Sequence, residues 1–253
     1  MARRVTDHGV LIQRRRTTVP FGWRNKDDAE RPDTAPLDAF DRALPPDPGS
    51  SGPARWTDKD TRSLLGRDLP LFTIFMAERA RASVGGGLFR FLLPDARPYL
   101  TGWNAGNGWR ADWPSAPAAV AFASDWTGRL YLLSTGKQVR NSEPIVLVLD
   151  PATAEIESVD MTFGEFLGRG LATNPRHVLE ADRLDAWVAA GGEVPPPGQC
   201  VAPKVPLFLG GSDDVGDLSM TSLVVLVSFC GQMWEQVKDL PPGTRISGVR
   251  LEE

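Results

Sequence analysis

The stretch VAFASDWTGRLYLL, residues 120–133, holds two apolar runs on either side of Asp125-Trp126-Thr127-Gly128. Such a pattern predicts a β-hairpin in which Val120–Ala123 leads in, Arg129–Leu133 returns and Gly128 takes the positive backbone angle of the turn. A second hairpin follows. Ile145–Leu149 is a continuous apolar run, Asp150-Pro151-Ala152-Thr153 carries turn chemistry, and Glu155–Val159 returns. A strand over Leu88–Leu93 precedes both. The sheet built from these hairpins is antiparallel, and helical segments flank it. Upstream, a helical reading begins at Asp58, and Pro70 fits the first turn of a helix over Leu71–Ala82 that Gly85, Gly86 and Gly87 end. Downstream, Thr162–Glu165 forms a capping box ahead of Phe166 and Leu167. A further helix over Pro175–Ala190 places Val178, Leu179, Leu184, Trp187 and Val188 on one stripe, and Gly191-Gly192 stops it. The predicted class is α+β, with a central antiparallel sheet, flanking helices and an irregular N-terminal arm.

With 253 residues, 42% hydrophobic and 24% charged, the chain can bury a sizeable core as one large domain or a domain with an appendage. No apolar run approaches the roughly 18–20 residues that span a bilayer, and the first residues lack the apolar core of a secretory signal. Arg3 and Arg4 therefore read as surface charge. No membrane association is expected. Only two cysteines occur, Cys200 and Cys230, too few for a disulfide framework or a four-ligand zinc site, and a reducing cytoplasm suits them. The two histidines, His8 and His177, lie far apart. Neither a metal nor a cofactor is expected.

Composition divides the chain near residue 57. Residues 1–24 hold six arginines against Asp7, so the rest must carry about nine net negative charges for the total to reach −4. From Arg31 to Pro53 the prolines at 32, 36, 45, 46, 48 and 53, with Gly49, Ser50, Ser51 and Gly52, argue against a packed helix or central strand. Residues 1–57 thus read as a basic, Pro-rich arm, in which Val10–Ile12 could form a brief strand and Val19, Phe21 and Trp23 could dock on the main domain. Residues 58–253 read as an acidic globular domain.

The chemistry-bearing residues are few. Asp213, Asp214 and Asp217 fall in one turn, and three carboxylates so close could hold calcium or magnesium. Their spacing lacks the order of a calcium loop, so a solvated turn is the simpler reading. Trp103, Trp109 and Trp113 sit in the Gly-, Asn- and Pro-rich segment 99–117, either as plugs that pin the loop or as an exposed recognition surface. Gly106, Asn107, Gly108 and Arg110 describe a turn tip that would hold Trp109 outward. Asp125, Trp126, Gly128 and Arg129 suit an architectural role, the tryptophan packing across the hairpin and Arg129 pairing with Asp125. The Gly85–Gly87 run follows a helix and precedes a strand, the reverse of a phosphate cradle. No Gly-x-Ser-x-Gly elbow places a nucleophile beside a base.

The run KVPLFLGGSDDVGDLSMTSLVVLVSFCGQMWEQVKDLPPG, residues 204–243, reads as a short strand over Val205–Leu209, the pair Gly210-Gly211, the acidic turn, a β-branched strand over Leu223–Phe229 and an amphipathic helix. Together with Asp125-Trp126-x-Gly128-Arg129, the Asp150-Pro151 turn and Phe163–Leu167, this run resembles the C-terminal domain of type VI secretion immunity proteins, a SUKH-like group. The likeness spans residues 85–250, leaves the first 57 without a counterpart, and departs from the family pattern at Leu223–Phe229 and at 99–117. What the resemblance implies is an immunity domain over 58–253 that binds a cognate secreted toxin, such as a nuclease, and silences it stoichiometrically without catalysis. On that reading Asp213, Asp214, Asp217, Trp103, Trp109 and Arg110 face the partner, Gly210 and Gly211 shape the motif, and no direct nucleic-acid binding is expected. A ligand-binding regulatory module on the same scaffold, or a metal-dependent hydrolase using Asp213, Asp214 and His177, are the alternatives.

Overall fold

The predicted hairpins form the centre of the molecule. In the computed structural model, β2 (Ala119–Asp125) pairs antiparallel with β3 (Leu130–Ser134), and β5 (Glu143–Asp150) pairs antiparallel with β6 (Glu155–Thr162). β3 joins the two hairpins by pairing with β5, β1 (Phe89–Phe91) extends the sheet beyond β2, and the two-residue β4 (Val139–Arg140) pairs with the start of β5. Every residue of β2 and β3 is buried, so the middle of this antiparallel sheet is covered on both faces. The fold is α+β.

Residues 32–53, 55–95, 99–241 and 243–244 are described. Pro32–Glu253 forms one compact unit. The arginine-rich start, His8, the Val10–Ile12 strand and the docking of Val19, Phe21 and Trp23 lie outside the described residues. Among the described residues no helix is long and apolar enough to cross a membrane.

One layer of rings cements the sheet to its helices. Phe89 and Phe91 of β1, Phe122 of β2 and Tyr131 of β3 meet Phe40, Phe75, Phe163 and Phe166, with ring centroids 4.6–6.5 Å apart and mostly edge-to-face. Phe40 belongs to α1 (Ala35–Ala43), a helix inside the stretch predicted to be irregular. The proline density of 31–53 hid it, because Pro36 occupies the first turn, where a missing N–H costs nothing. Leu37, Phe40 and Leu44 then fall on one stripe and are fully buried. Arg79 ties α1 down through Asp38 at 2.7 Å and Asp41 at 2.6 Å.

Two capping boxes start helices on schedule. Thr57 and Asp60 cap α2 (Asp58–Leu65). α3 (Pro70–Ile74) runs on into a π-helical turn, Phe75–Arg79, which ends the helix at Ala80. The segment 99–117, expected to be irregular, forms the single-turn helices α4 (Leu100–Trp103) and α5 (Trp109–Asp112). Thr162 and Glu165 cap α6 (Phe163–Glu165), again followed by a π-helical turn, Phe166–Leu171. The predicted helix Pro175–Ala190 is two helices, α7 (Pro175–Val178) and α8 (Ala181–Ala189), broken where Glu180 takes a left-handed backbone with φ +50°. Leu179, Ala181 and Leu184 are its buried residues, and Val188 faces solvent.

The C-terminal run differs most from its reading. Val205–Leu209 is no strand; Leu207–Leu209 makes a 3-10 turn closed by Gly210 at φ +85°. The ribbon partners are β7 (Gln199–Pro203) and β8 (Leu218–Ser222). Leu223–Phe229, predicted as a strand, opens the 15-residue helix α9 (Leu223–Val237). A uniformly apolar run has no period of its own to separate strand from helix. Burial decides it: Leu223, Leu226, Val227, Cys230 and Gly231 form one helical stripe. Gly231 lets α9 approach α5, since a β-carbon there would lie 2.5 Å from the Asp112 carbonyl oxygen.

Candidate functional site: a groove beside an acidic turn

The charged hairpin tip spends its chemistry inside the fold. Asp125 is fully buried, and its Oδ1 accepts from Thr127 N, Thr127 Oγ1 and Arg129 N at 3.0, 2.6 and 3.1 Å. Its Oδ2 accepts from Arg129 Nε at 2.6 Å and the Tyr131 hydroxyl at 3.2 Å. Five donors on one carboxylate compensate for its loss of water. Arg129 then reaches the carboxylate of Glu180 at 2.8 Å and the Val178 carbonyl at 3.1 Å, bracing the break between α7 and α8. Burial works to lower the Arg129 pKa, but Asp125, with Tyr131 and Glu180, outweighs it and raises the value above the ordinary one. Burial and the Asp125 charge push the Tyr131 phenol well above its ordinary value. Trp126 donates from its indole to the Leu179 carbonyl at 2.8 Å, while its own carbonyl accepts from Val201 N. Gly128, at φ +89°, sits against Cys200 and Leu226 with no room for a β-carbon. The tip joins the sheet, α7, β7 and α9.

The tryptophan loop is buried as well. The three rings are plugs, one of the two readings of the sequence: Trp109, the ring to face outward if any did, is 1% exposed, and Trp103 and Trp113 are buried too. Trp109 donates to Asn104 Oδ1 at 3.0 Å, and Asn104 in turn bonds both the N–H and the carbonyl of Ala121. Trp113 donates to the Val227 carbonyl at 2.8 Å. The rings pin the loop to β2 and α9, so Trp103 and Trp109 are withdrawn as partner contacts. Arg110 lies beside them, half-buried, with Nη2 3.4 Å from the Ala116 carbonyl.

Asp213, Asp214 and Asp217 are exposed on the turn between the Gly210-Gly211 pair and β8. Asp213 receives Arg183, by its carbonyl at 3.1 Å and its carboxylate at 3.8 Å. Asp214 and Asp217 enter no ion pair among the described residues. His177 is exposed, and among the described residues no group of three or more His, Cys, Asp and Glu side chains could hold a metal ion. His177, Asp213 and Asp214 therefore do not converge on an ion.

Beside this turn lies a groove that residue-by-residue reading missed. The β7–β8 ribbon and the first half of α9 enclose about 180 Å³, lined by Ala202, Pro203, Pro206, Val225, Leu226 and Phe229. Lys204 lines it too, giving its backbone N–H to the Asp217 carbonyl and its ammonium to the Gly216 carbonyl, so the acidic turn forms one rim. Val225, one of its walls, is 58% exposed, and Val224 and Val205, each next in sequence to a lining residue, are 41% and 50% exposed. Apolar area is thus left in water at the groove, and the turn bonded to its Lys204 wall carries Asp214 and Asp217, which enter no ion pair among the described residues.

A second missed residue is Arg90 on β1, 2% exposed. Its Nη2 donates to the Pro195 carbonyl, while Nε and Nη1 find no acceptor among the described residues. Burial lowers its pKa to about 10. Cys200 and Cys230 are buried free thiols, and burial pushes both up to about 12. An unfolded thiol ionises near about 8.5, so the folded state binds protons that the unfolded state has released. Stability from this source is whole below that value and declines as pH rises toward 12. At neutral pH neither thiol should react with iodoacetamide in the native protein, and both should react in denaturant; rapid native labelling of either would contradict the burial.

No protein-family model matches the chain, and no curated protein matches it. A solved structure, that of Atu4351 from Agrobacterium tumefaciens, superposes with a TM-score of 0.53 at 12% identity, over 78% of this chain and 88% of that one. The likeness is one of fold. At that identity it shows the fold alone and no residue-level chemistry.

Proposed function

We propose that this chain is a cytoplasmic, immunity-type protein that binds a cognate secreted toxin and silences it by stoichiometric association, without turnover of its own. The observation that carries the reading is the apolar surface left in water at Val205 and Val225, on a groove whose Lys204 wall is bonded to the turn that carries Asp214 and Asp217. An exposed apolar cluster with a charged rim has the anatomy of a protein-binding patch. The resemblance of the Asp125–Arg129 hairpin and the C-terminal run to immunity proteins supports the same reading. Tryptophan anchors are not part of it, since those rings are buried. The contact area passes instead to α9 and the ribbon, with the acidic turn steering a basic partner.

Co-expression tests this directly. An adjacent reading frame for a secreted toxin should be lethal alone, tolerated with this chain, and co-purify with it as an equimolar complex that lacks toxin activity. Reversing charge with Asp213→Lys and Asp214→Lys should slow association and flatten its salt dependence, while the melting temperature holds because both side chains face solvent. Unchanged association kinetics would remove the turn from the interface. Turnover of a substrate by the purified chain, abolished by one side-chain replacement, would overturn the proposal.

A further inference from the structure

We infer that the groove between the β7–β8 ribbon and α9 receives one apolar side chain of a partner protein, carried on a segment whose neighbouring residues are lysine or arginine. The inference rests on the binding reading above and names the chemistry of its contact. The space fits one side chain. A dry apolar cavity of about 150 Å³ accepts a benzene-sized group, and this half-open groove of about 180 Å³, with Pro206, Val225, Leu226 and Phe229 among its walls, is of similar size. Val225 stands at the edge, more than half exposed, so an entering ring or branched side chain would take its surface out of water together with that of Phe229.

Charge selects the flanks. Pro203 and Leu218 are the last paired residues of the ribbon, and the Val215–Asp217 turn stands at that same end, held by the two Lys204 bonds. Lys204 turns its ammonium onto the Gly216 carbonyl, and Arg183 is engaged by Glu180 at 3.1 Å and by Asp213. Lys204 thus keeps its positive charge, since a carbonyl does not neutralise it, and Asp214 and Asp217, which enter no ion pair among the described residues, outweigh it and leave the rim net negative. A partner presenting acid there would be repelled, and one presenting lysine or arginine would be drawn in and oriented. A second copy of this chain would bring the same carboxylates, and its net charge is −4.

The test uses the full chain. Random peptides displayed on phage are selected on the immobilised protein, and the consensus is synthesised and titrated by fluorescence anisotropy. The expected consensus has one large apolar residue beside Lys or Arg. Replacing that residue by Ala, or introducing Val225→Glu in the protein, should weaken binding by about tenfold or more. The Asp214→Lys, Asp217→Lys variant should bind less tightly with a shallower salt dependence. Val225 is exposed, so Val225→Glu should keep the wild-type melting temperature; Val225→Ser is the milder companion. A consensus with acidic flanks or no apolar residue, binding indifferent to both Val225 variants, or no enrichment over Val225→Glu would each overturn the inference. So would a dimer in sedimentation equilibrium that Val225→Glu dissolves, since a second copy would then be the occupant. Failure to neutralise a toxin, with peptide binding intact, would sink the immunity reading and leave the groove; neutralisation untouched by Val225→Glu would do the reverse.

Discussion

Asp125→Ala should cost about 3–5 kcal/mol of folding stability, the range for removing one partner of a buried ion pair. The carboxylate is fully buried and holds five donors, and Arg129, only 18% exposed at its side chain, would lose its 2.6 Å partner. Glu180 would remain on the far side of the guanidinium, and the Thr127 and Arg129 amides would be left without an acceptor. Asp125→Asn should be nearly as damaging, because an amide nitrogen would meet donors on one side where an oxygen now accepts. Thermal and urea denaturation measure the loss. The double variant Asp125→Ala, Arg129→Met should recover part of it, as the orphaned charge goes too. Wild-type stability in Asp125→Ala would mean that the hairpin tip is held by packing alone.

The hairpin tip and the groove differ in how openly the sequence states them. At the tip, Asp125, Gly128 and Arg129 lie within five residues, so turn chemistry and charge pairing are local and the architecture can be read directly. Capping at Thr162 is equally local. The groove depends on α9 lying across β7 and β8, and the run that makes α9 is apolar at every position from Leu223 to Val227. Without a period, β-branched residues point to a strand, and only tertiary packing overrides that propensity. The same limit hid α1, where six prolines in the surrounding stretch outweigh three apolar residues spaced for one helix face. Arg90 was invisible for another reason: a charged residue in a strand is expected on the wet side, and the carbonyl it donates to, that of Pro195, lies more than a hundred positions away. The exposed carboxylates of the acidic turn, by contrast, were legible from composition, since three aspartates among glycines and a serine have little to bury.

Trp109→Ala should destabilise the fold by about 3–5 kcal/mol, the usual cost of emptying a buried tryptophan site, and lower the melting temperature by roughly 6–20 °C. The ring is almost wholly enclosed, and its indole N–H holds the Asn104 oxygen that also accepts from Ala121 N at 2.7 Å. Asn104 stands in for a neighbouring strand at the irregular step of β2 between Ala121 and Ala123, where the ladder to β3 shifts register. Losing the ring therefore frees the side chain that satisfies a buried strand amide, and the effect spreads from the loop into the sheet. Trp109→Phe keeps much of the apolar area but removes the indole donor and leaves a smaller void, so it should cost less than Trp109→Ala, about 1–3 kcal/mol. Hydrogen exchange at Ala121 should quicken in both variants, and more in Trp109→Ala. An exposed recognition tryptophan would behave in the opposite way, with Trp109→Ala leaving the melting temperature and the Ala121 amide unchanged and weakening only partner binding. The two outcomes decide whether the 99–117 segment belongs to the core or to the interface.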